Sequence, residues 1–202
     1  MFVQVIQGEV TDAEQAHAAM DRWMEELAPE ASGWLGTTAG VTADGRFIAL
    51  ARFDSAAAAR QNSESAAQDK WWHEFSSLLR GEGVFSDSED VYVDAAGDPN
   101  TAGFVQVIRG RVSDKQRVRE LLSENQEAWV KFRPEWIGGL NAMYEDGTFT
   151  SAFYFTTEEE ARVGESKEMP ADLQQQMDEL NALDADEPEF FDLSQPWLYS
   201  PR

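Results

Sequence analysis

The chain alternates short β-branched, apolar runs with segments in which large apolar residues return every three or four positions. Residues 2–10, FVQVIQGEV, predict a strand. Asp12 then stands as a helix N-cap, and Ala16, Met20, Trp23, Met24 and Leu27 fall on one helical face. Residues 34–41 and 46–53 predict two strands joined by a turn around Asp44-Gly45. Ser55 can cap a helix carrying Ala56–Arg60, and Trp71, Phe75 and Leu78 mark a further helix. A last strand is expected near 90–94. The predicted order is β-α-β-β-α-β.

The same pattern then starts again. Phe104-Val105-Gln106-Val107-Ile108-Arg109-Gly110-Arg111-Val112-Ser113-Asp114 matches residues 2–12 at eight of eleven positions, offset by 102. That offset, without a gap, pairs Trp34 with Trp136, Gly36 with Gly138, Asp44-Gly45 with Asp146-Gly147, Phe53 with Phe155 and Ala59-Arg60 with Ala161-Arg162. Two periods are too few for a solenoid, so a tandem duplication of a whole domain is the reading. The expected domains are 1–94 and 104–202, with a polar, Gly- and Pro-containing linker at 95–103. In the second copy Val118, Leu121, Leu122, Asn125 and Trp129 mark the first helix, Thr157 caps the next, and a closing strand is expected over 190–197.

The order β-α-β-β-α-β is the ferredoxin-like α+β plan, a four-stranded antiparallel sheet with helices on one face. In residues 46–53 Phe47, Ala49, Ala51 and Phe53 alternate with Ile48, Leu50 and Arg52, so both faces are largely apolar. A lone sheet of this kind would leave its helix-free face polar. The two domains are therefore expected to pack sheet to sheet as a pseudo-dimeric α+β barrel. A monomer would act as its own pseudo-dimer, with further self-association open.

Composition narrows the function classes. Sixteen Lys+Arg against thirty-eight Asp+Glu give a net charge of −22, which argues against a nucleic-acid partner because such affinity rests on neutralising phosphates. No apolar run is long enough to span a membrane, no membrane partner is expected, and the N-terminus lacks a secretory pattern. With no cysteine there is no disulfide, thiolate nucleophile or Cys-ligated metal. A cytoplasmic location is the expectation.

The layout resembles the antibiotic biosynthesis monooxygenase-like branch of the dimeric α+β barrel proteins, once per half. Arg52-Phe53-Asp54-Ser55-Ala56-Ala57-Ala58-Ala59-Arg60-Gln61-Asn62 looks like that family's third strand entering its second helix, and Lys70-Trp71-Trp72-His73-Glu74-Phe75 like its next short helix. The resemblance implies a pocket between sheet and helices and oxygenation of a small aromatic or polyketide-like substrate with no metal or cofactor. It carries Asn62 and His73 into catalytic roles, and Trp71, Trp72 and Arg52 into substrate binding. The helical phase alone would put Trp71 in the core. Two other readings stay open. One is a non-catalytic barrel binding a small hydrophobic or aromatic molecule, or purely structural. The other is haem binding, although in haem-degrading members the Trp and His are well separated rather than adjacent.

The counterparts of Arg52, Asn62 and His73 are Tyr154, Gly164 and Gln175, so the halves are not expected to share one site. Gln4 and Gln106 sit mid-strand at equivalent positions. Their buried amides need partners, and symmetric retention favours an interface role near the pseudo-two-fold axis over pocket lining.

Overall fold

A computed structural model describes residues 1–201. The chain divides into two compact units, Met1–Val91 with Gln195–Arg202, and Tyr92–Ser194. In the first unit the order is β1 (Phe2–Glu9), α1 (Ala13–Glu26), β2 (Trp34–Val41), β3 (Arg46–Phe53), α2 (Ala56–Ser63), α3 (Ala66–Ser76) and β4 (Val84–Ser88). In the second, β5 (Asp90–Ala95) precedes β6 (Phe104–Arg111), α4 (Lys115–Ser123), α5 (Gln126–Phe132), β7 (Trp136–Met143) and β8 (Thr148–Phe155). There follow α6 (Glu158–Glu165), α7 (Ala171–Asn181) and β9 (Glu189–Leu193). A last strand, β10 (Trp197–Tyr199), returns to the first unit.

Each unit holds the expected four-stranded antiparallel core, and each gains a fifth strand. The orders are β10-β2-β3-β1-β4 and β5-β7-β8-β6-β9. Equivalent registers follow the repeat: Gln4 pairs with Ala51 and Gln106 with Phe153. The local signals work as physics requires. Asp12 and Asp114 accept hydrogen bonds from the backbone amides of Gln15 and Arg117, both at 3.0 Å, and Ser55 and Thr157 cap α2 and α6 at 3.2 Å.

The strand expected at 90–94 exists but does not close the first sheet. That place belongs to β4, whose Val84 and Phe85 lie largely exposed on an edge and show little period-2 contrast. Asp90–Ala95 joins the second sheet instead, and Trp197–Tyr199 the first, so each unit takes a strand from beyond its own repeat. The compact units therefore do not end where the sequence repeats end.

Pleating sorts the side chains. Phe47, Ala49, Ala51 and Phe53 face the helices, while Ile48, Leu50 and Arg52 face the other way with Val3 and Val5. Both faces are buried: Val3, Ile48 and Leu50 are wholly inaccessible, and so are Val105, Val107 and Ala152 in the second unit. At the β2 bulge, Gly36 takes φ +135°, and a Cβ there would meet the Arg52 guanidinium and the Tyr199 carbonyl oxygen.

The first helix differs between the copies. It is continuous over Ala13–Glu26 but breaks in the second unit at Asn125, whose φ of 56° is left-handed. Buried Gln176 mends the break. Its amide nitrogen donates to the carbonyls of Leu121 and Glu124, while its oxygen accepts from Asn125 Nδ2 at 3.1 Å and Trp129 Nε1 at 2.9 Å. Among the described residues no helix is long and apolar enough to cross a membrane.

Candidate functional site

A cavity of about 50 Å³ lies between the sheet and the helices of the first unit. Its floor is apolar and buried, built from Met20, Trp23, Trp34, Phe47, Ala49, Phe53, Trp71 and Phe75, with Thr37 the polar exception. Half-exposed residues border its mouth: Gln4, Ile6, Ala51, Asn62, Gln68 and Trp72. The sheet supplies the helix-facing register positions, α1 supplies Met20 and Trp23, the end of α2 supplies Asn62, and α3 supplies Gln68, Trp71, Trp72 and Phe75.

The ring systems form one packed wall. Trp71 lies 5.1 Å from Phe75 and Trp72 5.7 Å from it, both near-parallel, and Trp72 meets Phe85 edge-on at 4.9 Å. Trp23 and Trp34 pack at 70° with centroids 5.1 Å apart. Such offset and edge contacts suit the ring quadrupoles.

Each buried indole nitrogen of this wall has an acceptor. Trp23 Nε1 donates to Gln68 Oε1 at 2.6 Å, Trp34 Nε1 to Thr37 Oγ1 at 3.0 Å, and Trp71 Nε1 to the Ala19 carbonyl at 2.9 Å. These bonds fix what remains for a ligand. The two N–H groups of the Gln68 amide and the Thr37 hydroxyl hydrogen stay available as donors, and the Asn62 side-chain amide has no hydrogen-bond partner among the described residues. Every polar group that the described residues bring to the lining is neutral. The arrangement can stack a flat ring and offer amide and hydroxyl donors to an oxygen on it, but it contains no acid or base of its own.

Of the residues singled out from sequence, the structure brings Asn62, Trp71, Trp72 and Gln4 to this cavity. It does not bring His73 or Arg52. His73 follows Trp72 by one residue on α3, a turn of about 100° that carries it to the exposed side. Arg52 follows Ala51 on β3, and pleating sends it to the opposite face, where its Nε is buried without a hydrogen-bond partner among the described residues. Gln4 and Gln106 donate from Nε2 to Asp87 at 3.1 Å and Asp192 at 2.9 Å, the residues opposite them on β4 and β9. Trp23, Trp34, Thr37 and Gln68 were not singled out for the site. Thr37, a polar residue inside an apolar strand, carried the same signal as Gln4.

The corresponding positions of the second unit are built differently. Trp23, Trp71 and Trp72 become Asn125, Leu173 and Gln174; Thr37, Asn62 and Gln68 become Gly139, Gly164 and Pro170. Beside Gly164 lies an ion pair of half-buried Arg133 with buried Glu135, with Lys167 Nζ 3.7 Å from the same carboxylate. Burial pushes the Glu135 carboxyl up, but the Arg133 hydrogen bond and the two cations outweigh it and hold the group below its ordinary range. Trp136 keeps its place, but its Nε1 is buried without a hydrogen-bond partner because Gly139 offers no hydroxyl.

No protein-family profile matches the chain, and no curated protein matches it in sequence. Solved structures match it along nearly its whole length. A "putative monooxygenase" of Fusobacterium nucleatum superposes with a TM-score of 0.77 at 10% identity, covering 98% of this chain and 94% of the other. A protein given the same description from Lactobacillus acidophilus reaches 0.75 at 10% identity, covering 98% and 95%. An anthrone oxidase-like protein reaches 0.69 at 10% identity, covering 98% and 92%. The chain thus shares the tandem α+β fold of these three proteins. That fold is the one implied by the resemblance to antibiotic biosynthesis monooxygenases.

Proposed function

We propose that the first unit's cavity binds a small aromatic or polyketide-like molecule and supports its oxygenation by dioxygen. One observation carries the reading: an aromatic wall of four tryptophans faces an uncommitted amide, Asn62, at the mouth of a cavity between sheet and helices. The stacked rings would hold a planar substrate, and the Asn62 and Gln68 amides would donate to an oxygen that becomes anionic on the way to product. With no ionisable side chain in the lining, the substrate must bring its own acidic hydroxyl or enol. Its electrons reduce dioxygen: one oxygen atom enters the carbon skeleton, and the other leaves as water with the two hydrogens lost. The same neutral lining favours a second reading, in which the cavity binds such a molecule without transforming it.

Oxygen uptake with anthrone and with substituted hydroquinones separates the two. Oxygenation predicts uptake that Asn62→Ala lowers by about 10²–10³-fold in kcat/KM, the loss typical of one donor to a developing anion. Binding without uptake supports the second reading, and turnover unchanged in Asn62→Ala overturns the role given to Asn62. Oxygenation also requires His73→Ala to leave turnover unaltered, since its side chain lies outside the cavity.

A further inference from the structure

Trp34 also borders a second, larger space. A surface groove of about 350 Å³ is lined by Met24 and Glu25 of α1, by Ala28, Pro29 and Ala31 of the turn after it, and by Pro201. Trp34 borders the groove and the cavity alike. It is buried, and its indole is held by the hydrogen bond to Thr37 Oγ1 and by the edge-on contact with Trp23.

The volumes do not suit the cavity as a complete ligand site. A void needs roughly 10–15 Å³ per water, so 50 Å³ holds only a few, whereas an apolar cavity that admits a single benzene ring is about 150 Å³. The groove has room for fused rings, but it is open, and among the described residues Glu25 is its only charged group. Neither space is sufficient by itself, and Trp34 is the one described residue that borders both.

We propose that Trp34 is a swinging partition: turning its indole joins cavity and groove into one aromatic-lined channel, and the Trp34–Thr37 hydrogen bond holds it closed. This sets the size of ligand the unit accepts and rests on the reading that the cavity takes an aromatic molecule. A ligand needing the open position binds with its intrinsic affinity reduced by the fraction of molecules that are open. Whatever loosens the closed position therefore tightens binding. The second unit shows the unlatched chemistry, since Trp136 faces Gly139 and has no such bond.

The test uses the full chain and anthracene, a tricycle without polar atoms, followed by energy transfer from tryptophan. Removing the Thr37 hydroxyl cannot cost this probe a hydrogen bond. Thr37→Val removes the latch at nearly constant volume, and Trp34→Phe thins the partition; circular dichroism and cooperative thermal unfolding check that both remain folded. The partition predicts anthracene affinity raised about tenfold or more in Thr37→Val, and raised in Trp34→Phe, relative to wild type. Unchanged affinity in both folded variants overturns it, as does the absence of anthracene binding to all three proteins. Oxygen uptake reports separately on the chemistry. Tighter binding without uptake leaves the partition standing and removes the oxygenase reading, while uptake with unaltered affinities does the reverse.

Discussion

The Glu135 carboxylate fills the space that a side chain on Gly164 would need. Gly164 stands where the first unit has Asn62, so the place of the donor at one cavity mouth is taken in the other unit by an ion pair on a buried carboxylate. Gly164→Asn should destabilise by about 1–3 kcal/mol through overpacking, and by about 3–5 kcal/mol if the Arg133–Glu135 pair is broken. The reciprocal Asn62→Gly, at a half-exposed site near the end of α2, should cost about 1 kcal/mol or less. Urea unfolding of the two variants checks the contrast, and equal losses would contradict it.

Trp136 offers an opportunity to stabilise the protein. Its Nε1 is buried and unpaired, and a Cβ on Gly139 would sit in ordinary contact, 3.7 Å from Trp136 Cζ2. Gly139→Thr recreates the hydroxyl that Thr37 gives Trp34. It should raise stability by about 1 kcal/mol from the hydrogen bond, with a similar gain from removing glycine from a strand. A thermal midpoint at or below wild type would show that the hydroxyl does not reach the indole.

The Tyr199 phenol gives a pH dependence with a definite sign. It donates to Asp21 Oδ1 at 2.8 Å, and burial first, then that carboxylate, holds its pKa well above the ordinary value of 10.0. The folded chain keeps this proton while the unfolded chain loses it from about pH 10 upward. The contribution to stability is therefore complete below pH 10 and falls as pH rises beyond it. Denaturant midpoints should drop more steeply between pH 9 and 11 in wild type than in Tyr199→Phe. Parallel slopes would show that the phenol ionises freely in the folded protein.

Trp197 anchors the same strand. Its ring stacks on His17 at 4.5 Å with an interplanar angle of 3°, lies 6.2 Å from Phe47, and is 8% exposed. Trp197→Ala should cost about 3–5 kcal/mol, the usual loss for a large aromatic cut from a core. Hydrogen exchange should localise the loss to β2 and α1, and uniform protection across them would argue against an anchoring role.

The sequence made the repeated unit legible because the 102-residue offset preserved the strand cores, turns and N-caps together. What it concealed was pairing. A strand such as Asp90–Ala95 reads the same whichever sheet receives it, because the choice depends on edges assembled elsewhere in the chain. The break at Asn125 was also hidden, since Asn125 and Trp129 continue a helical spacing that the left-handed turn interrupts. Asn62, Trp71 and Trp72 were visible as a cluster on short helices. Arg52 and His73 were misplaced by one residue's worth of geometry: alternation along β3 for one, helical rotation along α3 for the other. Trp23 and Trp34 read only as core, because a stripe that packs and a stripe that lines a small cavity have the same period.

The strand borrowed by the first sheet bears on how the protein is born. A ribosome releases β2 early, yet β10, which must cover that edge, emerges only after every residue of the second unit. The usual order, in which the N-terminal domain is finished first, is thereby inverted. The unit bearing the cavity begins before its neighbour and is completed after it, so a translational pause between them would leave the aromatic wall waiting on a strand not yet made.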